Sequence, residues 1–143
     1  MSIYGNSLSI MLEATSISSC TSMGIILYQH ILKFIYQPNR RGASWINSIN
    51  NEIKELEIGE RNKNIKKVIF DPETQQSIYE KGRKEAIKET KGEIDSNVYP
   101  KILPSELRLE LIINRKYLGM YLIKYANNEK IKELITNKIL LNN

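Results

Sequence analysis

One cysteine, Cys20, in 143 residues rules out a disulfide within the chain and sets it apart from small secreted scaffolds built on such bridges. A reducing compartment is the expected setting. Histidine is equally scarce: His30 is the only one, and with Cys20 ten residues away it falls short of a tetrahedral zinc set. His30 is therefore read as a core or boundary residue. Glu52, Glu55, Glu57 and Glu60 form a charge run that reads as a solvated helix face, so no metal is expected. No apolar run reaches the roughly 20 residues that a membrane span needs. The longest, residues 23–36, carries His30 and Lys33. No basic residue precedes Lys33, so the start lacks the charged region of a secretory signal. A cytoplasmic protein without membrane contact is expected. Alanine (four) and valine (two) are scarce beside isoleucine, lysine and asparagine, a bias that AT-rich codons produce. Isoleucine-rich stretches therefore do not count as strands on β-branching alone.

What is present is globular: 41% apolar and 26% charged residues, in a length that builds one core, hence a single domain over 1–143. The net charge of +5 is unevenly spread. Residues 1–50 have a basic surplus of two, the middle third is nearly balanced, and residues 101–143 carry eight basic against four acidic groups. Clustered Lys and Arg gain affinity for a polyanion by releasing condensed counterions.

Periodicity predicts mostly helix. A short helix near 7–14 is expected to end in a Ser/Thr-rich loop, with Ser22 capping a second helix over 23–36 that is apolar on several sides. Ser44 is the expected cap of a helix whose stripe is Ile46, Ile49, Ile53 and Leu56, with Gly59 ending it. Residues 64–70 read as the one short strand. Asp71 and Pro72 start a helix to about Glu89, with Glu80–Lys84 and Lys81–Glu85 pairs outside and a thin stripe of Ile78, Tyr79, Gly82 and Ala86. That thinness predicts a surface position. Residues 92–104 read as a loop. Over 105–126 alternation suggests a hairpin, but helix formers and spacing favour helix. Ile131, Leu134, Ile135 and Ile139 share a side of a final helix. The pattern thus predicts a mainly α, compact single-domain bundle of five or six helices with one short strand near 65–70; the alternative is an α+β fold with a hairpin at 106–123.

Two stretches suggest chemistry. Arg40, Arg41 and Gly42 precede a helix start, where guanidiniums and free N–H groups suit a phosphate. Tyr117, Tyr121 and Tyr125 recur every four residues among Arg115, Lys116 and Lys124, a pattern that stacks bases and neutralises phosphates. Adding Lys130 and Lys132, the expected function is a small basic binding protein, a nucleic-acid-associated accessory or regulatory subunit facing RNA or DNA. No catalytic residue or cofactor is assigned under that reading. A second alternative is a protein–protein module, or a homo-oligomer, using the apolar 23–36 helix.

The stretch "QPNRRGASWI", followed by a helix, "IKKVIF" and "QQSIYEKG", resembles the central part of the acetyl-coenzyme A-dependent N-acetyltransferase superfamily. The resemblance implies an Arg/Gly loop holding the pyrophosphate, a strand, and a helix whose tyrosine is the general acid. Gly42 would then bind the cofactor and Tyr79 would be that acid. The chain departs from the family's loop pattern at Asn39 and Ser44.

Overall fold

In the computed structural model of the chain, Ile3–Tyr36 is one uninterrupted helix, α1, about 50 Å long at 1.5 Å per residue. The structure describes residues 3–37, 39 and 42–141, with side chains from Ile17 onward. The break expected before Ser22 does not occur. The Thr21 hydroxyl donates to the Ile17 carbonyl one turn back, at 3.0 Å, so a side chain able to leave the helix is satisfied inside it. Leu27, Tyr28, Ile31, Leu32 and Phe34 are fully buried, which makes α1 the central strut of the fold.

Helix α2, Ala43–Glu60, covers one side of α1. Gly42 holds its N-cap position without a side-chain bond, and Ser44 lies inside the first turn. The predicted stripe of Ile46, Ile49, Ile53 and Leu56 is completely buried. Gly59 does not terminate the helix in a left-handed conformation; the helix continues to Glu60 and Arg61 follows with helical dihedrals. The position needs glycine because a Cβ there would lie 2.2 Å from the Cys20 Sγ.

The strand expected near 65–70 is a helix, α3, Lys63–Ile69. The Asn62 side chain accepts from the Asn64 and Ile65 amides at 2.9 and 3.2 Å, nucleating the turn. Ile65 and Ile69, four apart, then point into the core while Val68 stays partly exposed.

Helix α4, Pro72–Glu89, starts as predicted: the Asp71 carboxylate accepts from the Thr74 amide at 3.0 Å, with Pro72 in the first turn. Ile78, Tyr79, Gly82 and Ala86 are all buried, but α4 is not a loosely held surface helix. It packs along α1, where a Cβ on Gly82 would sit 2.6 Å from the Ile25 carbonyl oxygen and 2.8 Å from the Tyr28 Cβ. The thin stripe is thus a close-approach stripe. Polar side chains extend the same contact: Gln29 and Lys33 of α1 both reach the Glu89 carboxylate, and Gln37 reaches Glu93 at 2.9 Å. The two ion pairs expected on the outer face are not made among the described residues; Glu80 accepts from Gln76 at 3.0 Å instead.

After α4 the chain turns at Gly92, whose φ of +85° is the left-handed conformation that favours glycine. It continues through short 3-10 turns at Ser96–Val98 and Ser105–Leu107. Helices α5 (Leu109–Ile112), α6 (Arg115–Ile123) and α7 (Glu129–Ile135) follow, and a π turn, Thr136–Leu140, closes the described chain. The hairpin alternative at 106–123 is not adopted. Asn114 does interrupt the segment, but its side chain accepts from the Tyr117 amide at 3.1 Å and so caps α6. Among the described residues there are seven α-helices and no strand, and their buried residues form one core.

Gly82→Ala forces the α1–α4 contact apart. It should lower unfolding stability by about 1–3 kcal/mol, seen as a lower urea midpoint at unchanged m value. A midpoint equal to that of the parent chain would show that the two helices tolerate a wider spacing.

Candidate nucleic-acid interface

Helix α6 divides its residues between two surroundings. Arg115, Leu118, Gly119 and Leu122 face the core, while Lys116 and Met120 are exposed. Tyr117 and Tyr121, one turn apart on α6, and Tyr125, in the turn just after it, are half-buried along one flank. The rings of Tyr117 and Tyr121 are nearly parallel, 19° apart in plane with centroids 6.4 Å apart. Those of Tyr121 and Tyr125 are 5.6 Å apart and tilted by 46°. The Lys124 ammonium lies 5.4 Å from the Tyr121 ring centroid, a cation–π arrangement. These rings, Lys116, Lys124 and Glu106 line an open groove of about 680 Å³.

One hydroxyl of the groove is held in its neutral form by its surroundings. Burial, reinforced by the neighbouring Tyr125 hydroxyl, pushes the Tyr121 hydroxyl well above its ordinary 10. Burial and the nearby Tyr125 and Glu106 raise Tyr36, at the end of α1, in the same direction. The Tyr117 hydroxyl donates to the Glu106 carbonyl at 2.8 Å, tying the 105–107 turn to α6.

The sequence-derived residues fare differently. Lys116, Tyr117, Tyr121 and Lys124 are brought together here. Arg115 is not on the surface. Its guanidinium is buried, donating to Glu57 at 2.7 Å, to the Asn50 side chain at 2.8 Å and to the Lys138 carbonyl at 3.3 Å. It braces α2, α6 and the final turn, and no free charge is left for a ligand. Lys130 is exposed in the first turn of α7, and Lys132 lies 3.4 Å from Glu129; neither lines the groove. Arg40 and Arg41 lie outside the described residues. Sequence reasoning missed Glu106, whose place depends on the irregular Ser105–Leu107 turn and not on any helical spacing.

Other sequence readings also meet the structure here. The 23–36 segment has α2 and α4 packed on it, which bury Leu27, Tyr28, Ile31, Leu32 and Phe34 and leave Met23, Ile25, Ile26 and Ile35 partly exposed. Tyr79 is fully buried with its hydroxyl on the Pro100 carbonyl at 2.5 Å, and burial pushes its pKa well up. The strand that the acetyltransferase resemblance implies is helix α3. Gly42 serves α2, its carbonyl accepting from the Trp45 and Ile46 amides. Glu52 is not on a solvated face: it is 5% exposed, and both its carboxylate oxygens lie within 2.9 Å of the His30 Nδ1. His30 itself is half-buried, the boundary residue expected. Among the described residues no three His, Cys, Asp or Glu side chains gather as a metal site, and no helix is long and apolar enough to cross a membrane.

A family model described as "Domain of unknown function DUF29" matches residues 11–118, and the chain belongs to that family. No curated protein and no solved structure matches. The matched span holds the His30–Glu52 pair and the α1–α4 seam and ends within α6, before Tyr121, Lys124 and Tyr125.

Arg115→Ala strips the Asn50 side chain and Glu57 of their partner and should cost about 1–3 kcal/mol of stability, measured by urea unfolding. A variant as stable as the parent chain would remove Arg115 from its bracing role. Burial also raises the Glu52 carboxyl above its usual 4.5, with the hydrogen bond and charge of His30 and the charge of Lys33 opposing. A raised carboxyl favours the folded state fully below its unfolded value, and that contribution is lost as pH rises through the folded one. Glu52→Gln should therefore lose less stability than the parent chain as pH rises from 4.5 through the raised folded value. Parallel pH profiles would contradict it.

Proposed function

We propose that this DUF29 protein is a non-catalytic nucleic-acid-binding accessory protein, with the α6 groove as its contact face for single-stranded RNA or DNA. The observation that carries the reading is the ladder of three tyrosine rings on successive turns, with Lys116 and Lys124 lining the same groove. Every base has a π-face, so stacking on such rings tolerates sequence, and lysines beside them neutralise the phosphates that follow each base. The Tyr121 hydroxyl, raised by burial, adds no charge to repel the strand. The Lys124 ammonium over the Tyr121 ring keeps a cation at the aromatic surface, with no ion-pair partner among the described residues. The basic excess of the last third of the chain adds attraction at longer range.

Fluorescence anisotropy with labelled single-stranded oligonucleotides tests this across a salt series. Affinity should fall steeply with salt, and each of Lys116→Ala and Lys124→Ala should reduce the slope of log K against log salt by about 0.7. Tyr121→Ala should weaken binding by about 5- to 150-fold, the loss of one stacked base, while Tyr121→Phe keeps it. Absence of salt-dependent binding, or variants that bind like the parent chain, would overturn the proposal.

A further inference from the structure

Glu106 is the one carboxylate among the groove's described lining residues, and it stands in a surface otherwise suited to polyanions. The backbone that carries it is held by two hydrogen bonds. The carbonyl of Glu106 accepts the Tyr117 hydroxyl at 2.8 Å, and that of the next residue, Leu107, accepts the Tyr28 hydroxyl at 2.7 Å. Two tyrosines from different helices thus hold the backbone from which the exposed carboxylate projects. The same carboxylate contributes to the raised hydroxyls of Tyr36 and Tyr121, which puts it within electrostatic reach of both rings.

A phosphate laid over Glu106 would meet like charge, so a strand in this groove must turn a base edge toward it. A carboxylate offers two adjacent acceptors and no donor. Of the four bases only guanine presents two adjacent N–H donors on its Watson–Crick edge, N1–H and N2–H. Adenine and cytosine set one amino donor beside a ring acceptor, and uracil flanks its single N–H with two carbonyls; each would face a carboxylate oxygen with a lone pair. Resting on the nucleic-acid reading of the same groove, we infer that Glu106 is a specificity-determining residue that selects guanine in a single strand. Lys116 and Lys124 take the phosphates, the tyrosines stack the bases, and the carboxylate accepts the guanine edge.

The experiment uses the full chain and labelled oligouridine RNAs with one central base changed to guanine, adenine or cytosine, read by fluorescence anisotropy. The guanine probe should bind about 5- to 150-fold more tightly than the other three, the discrimination of one good bidentate pair. Glu106→Gln replaces one acceptor by a donor and should abolish the guanine preference while keeping the dependence on salt. Because the carbonyl of Glu106, not its side chain, holds the turn, this variant keeps the fold, which circular dichroism verifies. Salt-dependent binding that is equal for all four probes overturns the guanine inference and leaves the nucleic-acid reading standing. A guanine preference that survives in Glu106→Gln also overturns it. No binding of any probe overturns both.

Discussion

Between Asp95 and Leu109 the chain makes only two short 3-10 turns, so most of its main-chain polar groups have no regular ladder to join. Side chains of the surrounding helices meet them instead. Tyr28 takes the Leu107 carbonyl, Tyr79 that of Pro100, Tyr117 that of Glu106, and Arg83 those of Tyr99 and Ser96. Gln76 holds the Lys101 carbonyl and the Leu103 amide, and Gln75 holds the Leu109 amide. Each bond contributes modestly, but an unmet buried carbonyl would cost more than a bond gains. This side-chain scaffold lets an irregular segment cover α1 and α4, and it delivers α5 and α6 to their places.

The helices beneath that segment are spaced by glycine. Gly82 admits α4 to the α1 backbone, Gly59 admits the Cys20 sulfur, and a Cβ on Gly119 would meet Leu140 at 2.5 Å. Where apolar contact ends, the α1–α4 seam continues in Gln29, Lys33 and Gln37 against Glu89 and Glu93. The aromatic groove sits at the far end of this chain of constraints. Its family match covers the seam and stops short of half the groove, so the groove's chemistry rests on this chain's own residues and not on family membership.

Much of the fold was legible. The stripe of α2, the Asp71–Pro72 start of α4 and the helical character of 105–126 follow from spacing and capping alone. The misreadings share a cause. Ser22, Ser44 and Gly59 carry strong local signals for helix ends, but Thr21 bonds within its helix and Gly59 answers to a sulfur brought from elsewhere. "NIKKVIF" looked extended because three apolar residues crowd its end, whereas an Asn62 cap and two core-facing isoleucines make it helical. The tyrosine spacing that marks the candidate site is readable because it is local to α6 and the turn that ends it. Arg115 was misassigned because nothing in its neighbourhood announces Glu57 and Asn50, more than fifty residues away. Glu106 is close in sequence, eleven residues before Tyr117, but the irregular turn that carries it to the groove has no periodicity to read.

The inner side of α6 is fastened at two levels: Arg115 in its first turn to α2, and Gly119 one turn later under Leu140 of the π turn. The rotational setting of the helix is therefore decided on the side away from the tyrosines. Aromatic substitutions outside would act on a platform that does not swivel to accommodate them. A ligand meeting those rings orders little that folding has not already ordered, so the conformational entropy lost on association is small and contact geometry governs affinity.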